Sequence, residues 1–298
     1  MACRSGTICG EADQRSNRMI AYLDTHVHFW QLERGHYHWL KPSNPILYQN
    51  YMPSDLADAV GAKHTDKLHG FIAVQAAPTV AETEFLLELA SQDERILGVV
   101  GYLDPCADSF ADDYKRLRNN PLFVGIRLDR AIFETYKDQV SDQMIANLQL
   151  LEVDDFKVDL LIGSEQCPAV LKILNQVPNL KAVINHLGGP PIRTGEIKIW
   201  SDYINKLSEF PHVYCKWSGM ITPAEGMNPE RLAPYIRHTA EQFGPKRILF
   251  GSDWPVALMA GTYEEVVQLF EQLLPDYWSD QERANVRMHN AKYFYLGM

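Results

Sequence analysis

Short apolar runs alternate with amphipathic stretches along nearly the whole chain, and this rhythm restricts the fold more than any other feature. Stretches 81–91, 168–175 and 263–274 carry apolar residues three or four positions apart, as on one face of a helix. Strands that alternate with helices indicate right-handed β–α–β units and a parallel sheet. The apolar runs number eight, at 20–23, 70–75, 96–102, 123–128, 158–162, 181–185, 213–217 and 247–250.

Eight such units close naturally into a (β/α)8 TIM barrel, and 298 residues suit one barrel of this kind. A doubly wound open sheet is the alternative. It would need a glycine-rich turn after the first strand, where this chain has Thr25-His26-Val27-His28 instead. We therefore predict an α/β fold with a single barrel domain over 19–298. The polar segment 1–18 is predicted to be a disordered tail.

Histidine and aspartate side chains, which can bind metal or transfer protons, follow three of the predicted strands. Side chains alternate along a strand, so His26 and His28 point the same way at the end of the first strand. His186 follows the sixth run and Asp253 follows the eighth. A structural interpretation exists for each alone, namely a satisfied core histidine or an aspartate that caps a helix. Their convergence on one barrel mouth favours a catalytic or metal-binding site.

Composition excludes several classes of function. The formal net charge of −10 argues against a nucleic-acid partner. No apolar run reaches the roughly 18 residues that a membrane span needs, and the first residues lack the apolar centre of a secretory signal. The five cysteines are widely spaced without a Cys-x-x-Cys pair, so buried inert thiols are favoured over a nucleophile, a disulfide or a zinc site. These features predict a cytoplasmic protein.

Short sequence motifs at the strand ends resemble those of the amidohydrolase superfamily, and within it those of the sugar-lactonase branch. That branch contains fuconolactonases, rhamnonolactonases and pyrone-dicarboxylate lactonases. The resemblance covers residues 20–298. The motifs are Leu23-Asp24-Thr25-His26-Val27-His28-Phe29-Trp30, the stretch 74–83, Gly98-Val99-Val100-Gly101, Gly125-Ile126-Arg127, Asn185-His186-Leu187-Gly188-Gly189-Pro190, Lys216-Trp217-Ser218-Gly219 and Gly251-Ser252-Asp253-Trp254-Pro255.

Two departures from the wider superfamily bear on the metal content. Binuclear members place a bridging Lys or Glu on strand four, where this chain has Arg127. Others place a histidine on strand five, and the run 158–162 has none. A binuclear centre is therefore not expected. One divalent ion, Zn²⁺ or Mn²⁺, is left open, and we expect activity not to depend on it. Its ligands would be His26, His28, His186 and Asp253.

The resemblance implies hydrolysis of a sugar-acid lactone, or of a related carboxylated lactone, as part of carbohydrate metabolism. Asp253 is the predicted general base that activates water. The predicted oxyanion donors are His26, His28 and His186. Arg127 is predicted to clamp the substrate, and Arg130 is the weaker candidate for that role. Further predicted substrate contacts are Gln75, Trp30, Lys216, Trp254 and Ser218. For Gln75, Lys216, Ser218 and Trp254, barrel packing or an ion pair is an equal alternative.

Two other functions compete with the lactonase. One is a metal-dependent decarboxylase of the same superfamily, which the missing histidine of strand five disfavours. The other is a non-catalytic barrel that serves as a binding protein or scaffold, which the complete set of four site residues disfavours. The predicted partner is a small-molecule lactone, in a chain that is compatible with a homo-oligomer. The long aromatic segment 29–55 either forms one wall of the pocket or covers the barrel surface.

Overall fold

The computed structural model describes residues 21–61, 67–136 and 139–298, and the predicted tail at 1–18 lies outside them. Its eight strands are all parallel and neighbour one another in chain order. The predicted barrel is thereby confirmed. The strands are β1 (Tyr22–Val27), β2 (Leu68–Val74), β3 (Ile96–Gly101), β4 (Phe123–Leu128), β5 (Lys157–Leu160), β6 (Ala182–Ile184), β7 (Val213–Trp217) and β8 (Ile248–Phe250).

Hydrogen bonds between β1 and the residues after β8 close the barrel. The amide of Asp253 donates to the carbonyl of His26 at 2.8 Å, and the amide of His28 donates to the carbonyl of Trp254 at 2.8 Å. The first strand consequently runs to Val27, four residues beyond the end of its apolar run at Leu23. Polar residues join the strand because pairing with a distant segment satisfies their backbone groups.

Helices follow the strands, and the three predicted ones are confirmed to within two residues at each end. Several begin at side-chain caps: Thr79 accepts a hydrogen bond from the amide of Glu82, and Thr262 forms a capping box with Glu265. The helices are α1 (Pro53–Val60), α2 (Val80–Gln92), α3 (Phe110–Leu117), α4 (Arg130–Thr135), α5 (Asp142–Val153), α6 (Cys167–Gln176), α7 (Ile197–Ser208), α8 (Pro229–Phe243), α9 (Tyr263–Leu273) and α10 (Asp280–Ala284).

The barrel interior is packed, and the end of the chain closes its lower opening. Inward-facing apolar residues of five strands form a cluster with Phe294 and Tyr295 near the C-terminus. Asn290 donates to the carbonyl of Ile248, the first residue of β8, so this segment lies at the amino ends of the strands. Within the described residues, the amino ends of the strands are therefore covered, and the carboxyl ends form the mouth of the barrel. The strand residues of the cluster are Leu23, Ile72, Val74, Val100, Val183 and Leu249.

The aromatic segment between β1 and α1 folds down over the carboxyl end of β2. Trp30 and Tyr51 exchange backbone hydrogen bonds of 3.0 and 2.9 Å, which bring its two ends together. The Tyr37 hydroxyl donates to buried Glu82 at 2.8 Å, and the Trp39 indole donates to the carbonyl of Ala76 at 2.8 Å. These bonds attach the segment to the loop after β2, at one side of the barrel mouth.

Two general features of the described residues bear on function. None of their helices has the length and apolar content that crossing a membrane requires. Cys106, Cys167 and Cys215 are free thiols. Burial raises the pKa of Cys167 to about 12 and raises the pKa of Cys215 further, so both remain protonated and unreactive at neutral pH.

Candidate active site

Three histidine rings and one carboxylate meet at the carboxyl ends of β1, β6 and β8. Asp253 Oδ1 lies 3.8 Å from His26 Nε2, 3.5 Å from His28 Nε2 and 3.9 Å from His186 Nε2. The centroid of the His26 ring is 4.9 Å from that of His28 and 4.5 Å from that of His186. The structure thus brings together all four residues that the sequence analysis selected, around one point in the barrel mouth.

The backbone that presents two of these residues has an uncommon conformation. Asp253 has φ of 64° and His186 has φ of 53°, both in the left-handed region. For residues other than glycine this conformation costs roughly 1–3 kcal/mol, and it persists where the surroundings impose it. Here Asp24 Oδ1 accepts hydrogen bonds from the amides of His26 (3.1 Å) and Ser252 (2.9 Å). One buried carboxylate therefore holds the ends of β1 and β8 side by side.

Hydrogen bonds on the far side of two rings direct their Nε2 atoms toward Asp253. His28 Nδ1 lies 2.8 Å from the carbonyl oxygen of Val74, and His186 Nδ1 lies 2.9 Å from Ser218 Oγ. A carbonyl can only accept, so His28 carries a proton on Nδ1 and, when neutral, a lone pair on Nε2. Ser218 thus orients His186.

Burial keeps two of the imidazoles neutral. The pKa of His26 lies well below its usual value because the ring is fully desolvated, and the Lys216 ammonium nearby lowers it further. Burial also lowers the pKa of His186, although Asp253 opposes that shift. Near neutral pH each ring therefore offers one lone pair and one N–H, and either can act on a ligand.

Arg127 and Gln75 present unpaired polar atoms in the same barrel. Arg127, on β4, donates from Nη2 to the carbonyl of Gln75 at 2.7 Å. Arg127 Nε and both side-chain polar atoms of Gln75 are buried, and they have no hydrogen-bond partner among the described residues. Burial lowers the pKa of Arg127 from its usual value. Buried groups without partners are costly, and they are typical of positions that a ligand completes.

Lys216 lies behind His26, on the opposite edge of that ring from Asp253. Its Nζ is fully buried and donates to the carbonyl of Thr25 and to Asp159 Oδ2, both at 2.6 Å. It also lies 3.5 Å from His26 Nδ1. Asp159, on β5, in turn accepts from the hydroxyl of Tyr295 at 2.5 Å. Direct contact with substrate stays a prediction for Lys216.

Comparison with known proteins decides the family. The amidohydrolase family profile matches residues 23–296. This chain belongs to the amidohydrolase family. It is similar to L-fucono-1,5-lactonase of Burkholderia ambifaria, with 31% identity over 93% of this chain and 96% of the relative. It is also similar to L-fucono-1,5-lactonase of Burkholderia multivorans, with 32% identity over 88% and 91% of the two chains. A zinc-bound amidohydrolase structure from Burkholderia multivorans covers 93% of this chain and 99% of its own, with TM-score 0.83 and 29% identity.

The site residues of this amidohydrolase fit one divalent ion. One ligand atom from each of His26, His28 and Asp253 lies within 4.8 Å of the others, and all three residues are buried. His26 Nε2 is buried without a hydrogen-bond partner among the described residues, so a ligand can complete it. Two imidazoles and a carboxylate are donors that Zn²⁺ accepts. The predicted single-ion site is present with three ligands. His186, the predicted fourth ligand, does not belong to the set whose ligand atoms lie within 4.8 Å of one another.

Of the two tryptophans predicted to contact substrate, Trp30 belongs to the aromatic segment and Trp254 packs against it. Trp30 is fully buried, its indole donates to the carbonyl of Gln49, and its ring meets Tyr51 edge-on. Trp254 is 1% exposed and packs against the same tyrosine. Substrate contact stays a prediction for both. Trp39, held at the end of β2, is 45% exposed and is the more accessible ring.

Sequence reasoning missed Asp159 and Tyr295, which are both buried. Asp159 interrupts the apolar run of β5, and a charge in such a run requires a buried partner. That signal could have indicated a cation at the end of another strand. Tyr295 had no comparable signal, because an aromatic residue near a C-terminus is typical of ordinary packing.

Gly219→Ala is expected to disturb the site through His186 alone. Gly219 has φ of +59°, and a Cβ there would lie 2.5 Å from His186 Nδ1. Gly195→Ala is the matched control, because Gly195 has φ of +73° and a Cβ there would meet nothing within 4 Å. Both substitutions carry backbone strain of roughly 1–3 kcal/mol, but only the first must displace the ring.

We expect kcat to fall about tenfold or more in Gly219→Ala and to stay near wild type in Gly195→Ala, with similar losses of Tm. Steady-state kinetics and thermal unfolding of both variants measure this. Equal kinetic losses in the two variants would mean that His186 need not keep its position for turnover.

Proposed function

We propose that this amidohydrolase opens the lactone ring of a sugar acid by general-base activation of water. The observation that carries the proposal is the convergence of three imidazoles on the carboxylate of Asp253, in a buried barrel mouth. The two similar Burkholderia proteins are named L-fucono-1,5-lactonases, which supports the same substrate class. Among the described cysteines, burial raises the pKa of Cys167 and Cys215, which disfavours a thiol nucleophile and a covalent intermediate.

Asp253 is the proposed general base. Its carboxylate accepts a proton from water as the water oxygen bonds to the lactone carbonyl carbon. The tetrahedral intermediate then collapses, the ring C–O bond breaks, and the protonated Asp253 returns its proton to the departing alkoxide. The hydroxy acid that forms ionises near neutral pH, so each turnover releases one proton to the medium.

Histidine N–H groups stabilise the oxyanion in this proposal. His26 and His186 are neutral and flank Asp253, so each could donate to the carbonyl oxygen as negative charge develops there. Donors in a desolvated site stabilise such a charge more than water does. A divalent ion on His26, His28 and Asp253 would supply Lewis-acid polarisation of the same carbonyl.

Arg127 and Gln75 are the proposed substrate-positioning groups. Their unpaired buried atoms match the hydroxyl and carbonyl oxygens of a polyhydroxylated ring. Arg130 is a second candidate, because its Nη2 lies near Gly163 and Gly189 in the loops after β5 and β6. A carboxylated lactone would engage these arginines more strongly than a neutral sugar lactone does. We also infer a cytoplasmic location, and a homo-oligomeric assembly stays a prediction.

A screen of aldonolactones and a pyrone dicarboxylate with a pH indicator tests the proposal. We expect proton release with at least one five- or six-membered sugar lactone. Prolonged chelation is expected to reduce that activity by less than about twofold, because the chain has Arg127 in place of the strand-four ligand of the wider superfamily and no histidine in the strand-five run. The screen is run on apo enzyme and on enzyme reloaded with Zn²⁺ or Mn²⁺.

The rival functions predict other outcomes of the same screen. Release of CO2 from an aromatic acid, with every lactone inert, would assign the decarboxylase function. Complete loss of activity on chelation, restored by Zn²⁺, would make the metal essential. Inertness toward both classes of substrate would favour the non-catalytic barrel.

A further inference from the structure

The surroundings of Lys216 bear on which nitrogen of His26 carries the proton. A lysine ammonium has three N–H donors and no acceptor. Lys216 Nζ lies 2.6 Å from the carbonyl oxygen of Thr25, 2.6 Å from Asp159 Oδ2 and 3.5 Å from His26 Nδ1. The first two are short bonds that fix the position of the charge. A proton on His26 Nδ1 would then point at a cation in a desolvated interior, which is unfavourable.

Lys216 is itself anchored from the bottom of the barrel. Asp159 accepts from Lys216, from Asn185 Nδ2 at 2.8 Å and from the Tyr295 hydroxyl at 2.5 Å. Four polar groups thus meet around Asp159, and Lys216, Asp159 and Asn185 are fully buried. Hydrogen bonds in a buried network of this kind rigidify its members. The ammonium therefore cannot turn away from His26 without breaking short bonds.

We propose that Lys216 is a positioning residue that holds the proton of His26 on Nε2, so that His26 donates a hydrogen bond at the reacting centre and binds metal weakly. A metal ligand must present a lone pair, and His26 can offer one from Nε2 only if its proton moves to Nδ1, beside the ammonium. His28 has the opposite arrangement, because its Nδ1 donates to Val74 and its Nε2 lone pair is free. The two neighbouring imidazoles thus differ in what they present to Asp253.

The first test reads the proton positions directly in the wild-type protein. Chelated enzyme labelled with ¹⁵N-histidine is examined by long-range ¹H–¹⁵N correlation, with His26→Gln and His28→Gln used only to assign the ring signals. We expect His26 to be protonated on Nε2 and His28 on Nδ1. Protonation of His26 on Nδ1 would overturn the proposal, and this outcome needs no variant of the network to fold.

The second test measures Zn²⁺ affinity. The double variant Asp159→Asn with Lys216→Met removes the buried ion pair without changing net charge, and it leaves no uncompensated carboxylate in the core. Its Zn²⁺ Kd, from competition with a chromophoric chelator, is expected to fall at least tenfold relative to wild type. Lys206→Met, the same change on the exposed face of α7, is the control and should leave the Kd unchanged. An unchanged or weaker affinity in the double variant would contradict the proposal.

The kinetic test rests on the proposed function, whereas the tautomer and affinity tests do not. In metal-free enzyme we expect the double variant to lower kcat at least tenfold and to change KM by less than about threefold, because His26 acts on the transition state. A rise in KM alone would assign Lys216 to substrate binding. If the wild type hydrolyses no lactone, the proposed function fails while the tautomer and affinity results still decide this inference.

Discussion

Asp253→Asn is expected to lower kcat by at least about 100-fold while leaving the fold intact. The amide keeps the shape of the carboxylate but cannot accept a proton from water. Asparagine is also the substitution best suited to this backbone, because Asp253 has φ of 64° and Asn is tolerated in the left-handed region. Alanine there would add strain and confuse the interpretation.

The measurement compares kcat and Tm of Asp253→Asn with those of Asp202→Asn, the same change at an exposed position of α7. Both variants are assayed after chelation, so that the loss of a metal ligand contributes nothing. Near-normal turnover of Asp253→Asn would transfer the base role to one of the histidines. A fall of Tm by many degrees would instead indicate a structural role for the carboxylate.

Arg127→Met is expected to lower kcat/KM while preserving or raising stability. A hydrogen bond from a charged group contributes roughly 1.5–3 kcal/mol, which corresponds to a loss of about 10- to 100-fold. Arg127 is buried, and within the described ranges no carboxylate lies at ion-pair distance from it. Its positive charge therefore costs folding free energy that an apolar side chain of similar length would not.

Thermal unfolding and steady-state kinetics of Arg127→Met separate function from structure. In a domain of this size, stabilisation by about 1 kcal/mol would raise Tm by roughly 2–4 °C. Arg193→Met, at a side chain that is 76% exposed, is the control and should change neither quantity. A large drop of Tm together with lost activity would show that Arg127 mainly supports the barrel.

The rhythm of apolar runs was sufficient to predict the barrel, and the polar residues at three strand ends were sufficient to predict the site. Both predictions depend on local pattern, because a residue that follows a parallel strand lies at the carboxyl edge whatever its neighbours are. His26, His28, His186 and Asp253 were recognisable for that reason. The motifs at the same positions, which resemble those of the sugar-lactonase branch, predicted the reaction class.

Roles that depend on a partner from another strand could not be predicted in the same way. Substrate contact stays a prediction for Ser218 and Lys216, and the structure adds contacts to His186 and His26 that the sequence did not indicate. Substrate contact stays a prediction for Trp30 and Trp254 as well, and both rings are buried.

What the sequence by itself determined is the barrel and the four residues at its mouth, because periodicity and strand ends are local properties. Closure of the barrel decided the rest. It drew β1 out to Val27, and it paired the amide of Asp253, whose backbone is left-handed, with the carbonyl of His26. It also joined Lys216 to Asp159, 57 positions away, and Asp159 to Tyr295, 136 positions away. Contacts over such separations exist only once all eight strands are in register, so no local pattern encodes them.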